Sequence, residues 1–272
     1  MPARGPMRGI VTLTTDFGLR DPYVAVLKGQ LLRHDPGLQL IDVTHEITGY
    51  DPAEAGFWLE RIGRYFPDRT VHLAVVDPGV GTARALVAVS SDRQFYLGPD
   101  NGLLAAIAER PGAMARSIES GVLQSLGIAV HGGPTFHGRD LLAPVAARLA
   151  AGKLSFEALG DRTRLEPGGG RLRVTPAVRG WRGTVVTIDS FGNLISNLES
   201  QSHVGSGSWA VLIRGVRARS VRTYGAAEPG ELVALVNSWG LVEVAVVQGS
   251  AARRLGAERG DEVLLEEVVP DA

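Results

Sequence analysis

The chain has 272 residues, 44% of them apolar, and its 28 basic residues nearly balance its 29 acidic ones. This length suits one large domain or two ordinary ones with a packed core. The balanced charge argues against a nucleic-acid or membrane binder, because such proteins usually carry a basic excess or patch. The lack of cysteine excludes disulfides and thiolate metal sites. No stretch approaches the ~20 apolar residues of a membrane span, and residues 1–9 lack a signal-peptide core, so a cytoplasmic location is expected.

The first predicted elements alternate between strands and helices. Apolar, β-branched strands are expected at 10–14, 38–43 and 70–76. Each helix between them is expected to begin at an Asp-Pro pair, Asp21-Pro22 or Asp51-Pro52, in which Asp caps the helix and Pro takes its first position. The order β-α-β-α-β predicts an N-terminal layered α/β domain with a mainly parallel sheet.

Carboxylates follow two of these strands, at Asp16 and Asp77. In open α/β sheets, ligands bind off the carboxyl ends of the strands. Asp77 opens a Pro-Gly turn, and Arg84 returns a guanidinium a few residues later, so both are candidates for chemistry. A structural ion pair in a surface turn carries similar weight. The turn is neither a dinucleotide fingerprint nor a phosphate loop, because it lacks the third Gly of the first and the Gly-Lys-Ser/Thr of the second.

The next predicted elements are a strand pair at 86–89 and 94–97, a helix after Gly102, and a turn-rich loop at 132–140 before a helix at 141–151. His137 lies in that loop. A lone loop histidine is usually idle, but its neighbours Phe136, Gly138 and two charged residues favour a functional role somewhat. The run Asp-Val-Thr-His-Glu at 42–46 lacks the second His of a zinc-peptidase motif, so no metal site is predicted.

Residues 166–170, Glu-Pro-Gly-Gly-Gly, are the clearest linker. The predicted bounds are 8–166 for the α/β domain, 167–180 for the linker and 181–272 for a smaller C-terminal domain. Short strands at 184–188, 209–213, 232–236, 241–247 and 262–269 predict that this domain is antiparallel β, as a sandwich or a barrel. Asp189 and Asn193 flank a tight Gly turn, and 237–240 form a similar turn; ordinary turn chemistry is the plain interpretation of both.

Taken in order, several motifs together resemble the S-adenosyl-L-methionine (SAM) hydroxide adenosyltransferase family, relatives of fluorinating and chlorinating enzymes. The motifs are Thr14–Gly18, Lys28-Gly29, Asp42–His45, Val75–Arg84, Gly98–Gly102, Thr135–Asp140 and Phe191–Asn193. The resemblance covers essentially the whole chain, from about residue 10 to about residue 269. It implies a homotrimer whose sites lie between the N-terminal domain of one subunit and the C-terminal domain of its neighbour. It also implies SAM as the substrate, without a cofactor, a metal ion, a nucleic acid or a membrane partner.

The resemblance further implies that water attacks the ribose C5′ of SAM and yields adenosine and L-methionine. Asp77, Arg84 and His137 match the catalytic triad around that water, which the halogenating branch lacks. The matched or neighbouring substrate-binding positions are Asp16 at the ribose hydroxyls, Asp189 and Ser238 at the methionine end, Phe191 and Asn193 near the adenine, and Asp21, Tyr23, Phe136 and Trp239 around the pocket. Trp239 replaces an Arg of the halogenating enzymes. The alternatives are a SAM-dependent halogenase and a non-catalytic adenosine- or SAM-binding protein.

Overall fold

The computed structural model describes residues 9–128, 135–167, 172–205 and 207–268. The chain divides into two compact units, Met1–Arg171 and Leu172–Ala272. The start of the expected α/β domain at residue 8, residues 132–134 of the expected loop, the linker glycines 168–170 and the chain end at 269–272 lie outside the described residues. The expected domain bounds stay predictions. Within the expected linker, Thr175–Ala177 forms a short strand.

A six-stranded sheet forms the centre of the first unit. Its strands are β1 (Ile10–Thr15), β2 (Gln39–Thr44), β3 (Val71–Val75), β4 (Leu86–Ser91), β5 (Gln94–Pro99) and β6 (Met114–Ser117). In the order β2-β1-β3-β5-β4-β6, the first four strands are parallel, and β4 is antiparallel to both of its neighbours. The prediction of a layered α/β domain with a mainly parallel sheet is therefore confirmed.

The helices of the first unit are α1 (Tyr23–His34), α2 (Pro52–Ile62), α3 (Ala105–Ala108), α4 (Ser120–Ser125) and α5 (Ala143–Ala150), with 3-10 turns at Gly63–Tyr65 and Phe156–Leu159. The predicted cap of α2 is confirmed, because the side chain of Asp51 accepts hydrogen bonds from the N–H groups of Ala53 and Glu54. The predicted cap of α1 is wrong. Pro22 itself occupies the cap position, without a side-chain cap hydrogen bond. Asp21 is thus one residue too early to reach the first turn.

Alternating residues of β1 and β3 point to opposite faces of the sheet. One set packs into a large apolar core together with α1 and α5; in these two strands it consists of Val11, Leu13, Val71, Leu73 and Val75. The other set includes Thr12 and His72, which are also fully buried. β3 is therefore covered on both faces, as its continuous apolar pattern predicts. This rigid strand leads directly to Asp77.

The buried polar face is satisfied by a hydrogen-bonded network. His72 Nδ1 lies 2.8 Å from Thr12 Oγ1, and His72 Nε2 lies 3.2 Å from Gln94 Oε1. Tyr96 donates to the same Gln94 oxygen at 3.0 Å and stacks on the imidazole, with ring centroids 4.6 Å apart. Burial lowers the pKa of His72 to about 4. The ring is therefore neutral at pH 7. Its Nε2 donates to Gln94 Oε1, so its Nδ1 accepts from the Thr12 hydroxyl, and the ring links β1, β3 and β5.

The second unit is a closed β barrel, which resolves the predicted choice between sandwich and barrel. Its strands are β7 (Thr175–Ala177), β8 (Gly180–Ile188), β9 (Leu194–Glu199), β10 (Trp209–Ile213), β11 (Val216–Ser220), β12 (Leu232–Val236), β13 (Leu241–Val246) and β14 (Glu262–Glu267). The ring runs β14-β10-β11-β12-β13-β9-β8 and closes through β8 and β14, while β7 pairs with β8 alone. The pairs are antiparallel except β11 with β12.

Alternating residues fill the barrel interior, such as Val211 and Ile213 on β10 and Val242 and Val244 on β13. Two short helices, α6 (Ser200–His203) and α7 (Ala251–Leu255), and a 3-10 turn at Tyr224–Ala226 complete the unit. Across both units, none of the described helices has the length and hydropathy that a membrane crossing requires.

The low pKa of His72 makes the stability of the protein depend on pH. The unfolded chain binds a proton at this residue near pH 6.5, whereas the folded chain does so only near pH 4, so stability is lost as the pH falls through this interval. We expect this group to cost about 2 kcal/mol between pH 6.5 and pH 5. The His72→Phe variant, which keeps a ring but cannot titrate, should lose less stability over the same interval.

Urea unfolding followed by fluorescence at pH 7.5, 6.5, 5.5 and 5.0 measures this difference. The variant is expected to be less stable than the parent at pH 7.5, because Thr12 and Gln94 lose a partner, so the comparison concerns the slope against pH. Equal slopes for the two proteins would contradict the prediction.

Candidate active site

Asp77 and Arg84 form a bidentate ion pair in the loop that follows β3. Arg84 Nε donates to Asp77 Oδ1 at 2.8 Å, and Arg84 Nη2 donates to Asp77 Oδ2. Only 7% of the Asp77 side chain and 10% of the Arg84 side chain are exposed. Two parallel N–H···O bonds fix the plane of the guanidinium. The loop therefore holds a nearly buried cation in one orientation.

The loop itself is a compact series of turns. The N–H of Val80 donates to Asp77 O, and the N–H and hydroxyl of Thr82 both donate to Gly79 O. Gly81 has a φ of 82°, a backbone conformation that side chains other than glycine rarely adopt. These turns reverse the chain within a few residues and bring Arg84 back to Asp77.

His137 joins this pair from a distant part of the chain. Its Nδ1 lies 3.0 Å from Arg84 Nη2. The residue immediately precedes a π-helical turn, Gly138–Leu142, that continues into α5. A Cβ on Gly138 would lie 2.8 Å from Val75 Cγ1, so only glycine allows the turn to approach the end of β3 this closely. This close approach brings the imidazole to the loop that carries Arg84.

The end of β3 is also tied to the loop after β5. The side-chain amide of Asn101 donates to Val76 O at 2.9 Å, and its oxygen accepts from the N–H of Leu103 at 3.3 Å. Both groups of the Asn101 side chain are thus used, one on each loop. The motif Gly98–Gly102 therefore supports the residue that precedes Asp77.

The hydrogen bond between Arg84 and His137 defines the tautomer of the imidazole. Arginine only donates, so His137 Nδ1 must accept, and the proton of the neutral ring resides on Nε2. Burial and, next, the positive charge of Arg84 lower the pKa of His137 below its ordinary value of 6.5, while Asp77 and Asp140 act in the opposite direction. The imidazole is therefore mainly neutral at pH 7, as a proton acceptor must be.

Three aromatic rings lie together in the same unit. Phe136 contacts Phe17 and Tyr23 edge to face, with ring centroids 5.3 and 5.7 Å apart, and the Phe17 and Tyr23 rings are 6.0 Å apart. Phe136 directly precedes His137, and Phe17 directly follows Asp16. Tyr23 is 51% exposed, so part of this apolar surface is open to a ligand. Asp16 accepts one hydrogen bond, at Oδ2, from the N–H of Tyr50.

In the second unit, Asp189 organises the tight turn that leads into β9. Its Oδ1 accepts from the N–H groups of Phe191 and Asn193, both at 2.9 Å, and its Oδ2 accepts from the Asn193 side-chain amide at 2.9 Å. A Cβ on Gly192 would lie 2.0 Å from Ser250 Oγ, so the turn requires glycine. Phe191 is 76% exposed, whereas Asn193 is only 7% exposed. Turn chemistry therefore accounts for the Asn193 amide, and the aromatic ring remains accessible.

The turn at 237–240 is held by a buried acid that the sequence analysis did not consider. Asn237 Oδ1 accepts from the N–H groups of Trp239 and Leu241, and its Nδ2 donates to Glu243 Oε2 at 3.1 Å. Tyr224 Oη donates to the other oxygen of Glu243, which is 3% exposed. Burial and the nearby charge of Asp189 raise the pKa of Glu243. An acid inside the apolar strand Leu241–Val246 is the signal that could have revealed it.

The candidates thus fall into separate groups. The structure brings together Asp77, Arg84 and His137, and it brings Phe136 to Tyr23. Asp189 contacts Phe191 and Asn193 through its carboxylate. Among the described residues, Asp21 and Ser238 form no hydrogen bond with another candidate. The described residues also contain no cluster of three or more His, Asp or Glu side chains that could hold a metal ion.

Comparison with known proteins adds an independent observation. Residues 11–160 match the model of the SAM hydroxide adenosyltransferase N-terminal domain, and residues 183–264 match that of the C-terminal domain. A protein of Salinispora tropica named (R)-S-adenosyl-L-methionine hydrolase is 40% identical over 92% of this chain and 95% of its own. A fluorinase from an Actinoplanes species is 30% identical over 56% of this chain and 57% of its own.

The fold agrees with these matches. The crystal structure of an uncharacterized conserved protein from Thermotoga maritima superposes with a TM-score of 0.82 at 34% identity and covers 94% of this chain and 99% of that one. The two family models together span most of the chain, and the motifs that carry the resemblance lie within the matched residues. The chain belongs to the SAM hydroxide adenosyltransferase family.

Proposed function

We propose that this protein is an enzyme that hydrolyses SAM to adenosine and L-methionine by in-line attack of water on the ribose C5′. The observation that carries the proposal is the contact of Asp77, Arg84 and His137, which come from two distant segments; the Asp77 and Arg84 side chains are nearly buried, and His137 is partly buried. Family membership and a relative named for this hydrolysis support the same reaction. In this proposal SAM is the substrate, and neither a cofactor nor a metal ion takes part.

The chemistry of the substrate explains why such a cluster suffices. The sulfonium of SAM leaves as a neutral thioether, so no acid has to protonate the departing sulfur. Free water, with a pKa of about 15.7, is a poor nucleophile. As the bond from C5′ to oxygen forms and the bond from C5′ to sulfur breaks, the attacking water must lose a proton. The site therefore needs a fixed cation near the oxygen and a base for the proton.

Arg84 and His137 can supply these two functions in succession. Arg84 is held by Asp77 through Nε and Nη2, and its remaining Nη2 proton points to His137 Nδ1. As hydroxide character develops, the charge of the fixed guanidinium stabilises the oxygen, and the imidazole rotates away from Arg84 so that Nδ1 can accept the proton from the water. Asp77 keeps the guanidinium in position throughout. This sequence conserves charge, because the positive charge of the sulfonium passes to the imidazolium.

The proposed substrate contacts come from the family resemblance. We propose that Asp16 binds the ribose hydroxyls; the remaining proposed contacts are Asp21, Tyr23, Phe136, Asp189, Phe191, Asn193, Ser238 and Trp239. The exposed rings of Tyr23 and Phe191 support contact with the nucleoside, since aromatic faces stack on bases. The Asp189 carboxylate, which forms no ion pair with Lys or Arg among the described contacts, supports binding of the methionine ammonium near it. A homotrimer and a cytoplasmic location rest on the resemblance and on the sequence.

Two other functions remain in competition. A SAM-dependent halogenase is favoured by the fluorinase relatives, but the complete Asp77, Arg84 and His137 cluster supports water instead. A non-catalytic adenosine- or SAM-binding protein would retain the pocket without turnover. Chromatography of the products after incubation with SAM, with and without chloride or fluoride, distinguishes the three: adenosine with methionine, a 5′-halo-adenosine, or unchanged SAM.

Removal of any member of the cluster should abolish turnover while ligand binding persists. We expect Asp77→Ala, Arg84→Ala and His137→Ala each to lower kcat by about 10²- to 10³-fold, the usual loss when one group that stabilises the transition state is removed. Adenosine affinity, measured by calorimetry, should change far less. The matched control is Arg219→Ala, which removes the guanidinium of an exposed ion pair with Glu231 on the barrel. A kcat in all three cluster variants that is as high as in the Arg219→Ala control would refute the assignment.

The ionisation of His137 should set the acid limb of the activity profile. A protonated ring can neither accept from Arg84 nor take a proton from water, so kcat should fall as the pH falls through the pKa of His137, which lies below 6.5. In Arg84→Met the lowering charge is gone and Asp77 is left unpaired, so the pKa of His137 should rise. Nuclear magnetic resonance of ¹⁵N-labelled imidazoles measures both pKa values and the Nε2–H tautomer. A His137 pKa that is unchanged in Arg84→Met would contradict the electrostatic coupling.

A further inference from the structure

The tip of β1 is joined to the loop after β2 by an unusually dense set of contacts. The ladder between the two strands shifts register between Leu13 and Thr14, so regular pairing weakens just before Asp16. Four other hydrogen bonds then hold the tip: Gly18 N to His45 O at 2.7 Å, Ile47 N to Thr15 O at 3.3 Å, Tyr50 N to Asp16 Oδ2 at 3.1 Å, and Thr15 Oγ1 with His45 Nδ1 at 2.8 Å. Two of the four bonds involve His45, and two involve Thr15.

His45 is part of a chain of polar groups that leads from the surface to this tip. Lys28 Nζ donates to Asp42 Oδ2 at 2.6 Å, and His45 Nε2 lies 3.1 Å from Asp42 Oδ1 without forming a regular hydrogen bond. On the other side of the ring, Nδ1 meets the hydroxyl of Thr15, whose oxygen accepts the N–H of Phe17 at 3.2 Å. The side chains of Lys28 and Asp42 are 31% and 40% exposed, whereas that of His45 is 2% exposed.

The donors and acceptors of this chain are consistent with a single direction. The Asp42 carboxylate lies 3.1 Å from His45 Nε2, and its negative charge favours the tautomer that carries the proton on Nε2. Nδ1 must then accept from the Thr15 hydroxyl, and this leaves the Thr15 lone pairs for the N–H of Phe17. Each group is thereby oriented by the previous one. The turn formed by Thr15, Asp16 and Phe17 is fixed on both sides of Asp16.

The protein contains a second threonine–histidine contact, which lies away from the turn that carries Asp16. His72 Nδ1 and Thr12 Oγ1 are also 2.8 Å apart, on the same strand β1, but in the middle of the sheet. The His72 pair therefore shows what a purely structural threonine–histidine contact does here: it satisfies buried polar groups. The His45 pair differs because it ends at the turn that carries Asp16.

We propose that His45, oriented by Asp42 and Lys28, is a positioning residue that fixes Asp16 through Thr15 so that the Asp16 carboxylate can grip the two hydroxyls of a ribose. This inference rests on the proposed function for the role of Asp16. His45 and Thr15 are themselves too deeply buried to contact a ligand, since only 3% and 0% of the whole residues are exposed, so they act only through Asp16. Asp42 and His45 belong to the run 42–46, for which no metal site is predicted, and the proposal gives these two residues a positioning role instead.

The test compares two ligands that differ only at the ribose. Calorimetry with the full chain gives the dissociation constants of adenosine and of 2′,3′-dideoxyadenosine, and their ratio measures how well the hydroxyls are recognised. We expect Thr15→Val, which removes the hydroxyl and keeps the shape, to weaken adenosine binding by about three- to tenfold, the usual worth of one hydrogen bond, with little change for the dideoxy ligand. Thr15→Ser keeps the hydroxyl and should preserve the ratio.

Histidine variants test the next group in the chain. His45→Leu should reduce the ratio like Thr15→Val, whereas His45→Asn, whose oxygen can accept from Thr15 in place of Nδ1, should restore much of it. His72→Leu is the matched control: it removes the other threonine–histidine contact of β1 and should lower stability without changing the ratio. If His45→Leu does not fold, the Thr15→Val and Thr15→Ser pair still decides the question.

The Asp16→Ala variant separates this proposal from the proposed function. If Asp16→Ala abolishes the ratio but Thr15→Val and His45→Leu leave it intact, the positioning role is overturned and the role of Asp16 stands. If His72→Leu changes the ratio as much as His45→Leu does, the effect is general destabilisation, and the proposal is likewise overturned. If Asp16→Ala leaves the ratio unchanged, the positioning role falls, whereas SAM hydrolysis is judged separately by product analysis.

Discussion

The proposed mechanism depends on one guanidinium whose orientation is fixed by hydrogen bonds. Arg84 is held at Nε and Nη2 by Asp77, its Nη2 also contacts His137 Nδ1, and the Asp77 and Arg84 side chains are nearly buried. A freely rotating arginine would spread its charge over many positions and would have to be reorganised during the reaction. A fixed one presents its charge where it is needed before the reaction begins, which is the main source of electrostatic catalysis.

The sheet makes this arrangement possible because the end of β3 supports both the loop with Asp77 and Arg84 and the turn that carries His137. β3 is covered on both faces, by the apolar core with α1 and α5 and by the polar network of His72 and Gln94. Its end supports Asp77 directly. It also receives His137, because Gly138 allows the π-helical turn to contact Val75. Two segments far apart in sequence are thus positioned against one strand that is packed on both faces.

Much of the fold could be predicted from local sequence, and the failures have physical causes. The apolar run of β3 and the Asp51 cap depend on neighbouring residues and were predicted correctly. β11, Val216–Ser220, contains two arginines and pairs in parallel with β12, so only the closed barrel makes it a strand. β9, Leu194–Glu199, was not predicted, because it directly follows the turn at Asp189, whose polar residues dominated the pattern. The spacing of residues alone could not predict the contact of His137 with Arg84, because the two are 53 positions apart. Only the family resemblance predicted that they lie together.

The two units use the same device to prepare a carboxylate. In the first, Asp16 receives an N–H from Tyr50 and is flanked by the bonds of Thr15; in the second, Asp189 receives two N–H groups and the amide of Asn193. Each carboxylate is oriented by its own loop before any ligand is bound, so less conformational entropy is lost on binding. The same bonds compete with a ligand for the lone pairs, and they leave only some directions available. In the proposed function, a loop that fixes its acid in this way selects ligands by geometry as well as by charge, which suits a substrate that carries both a ribose diol and two cationic groups.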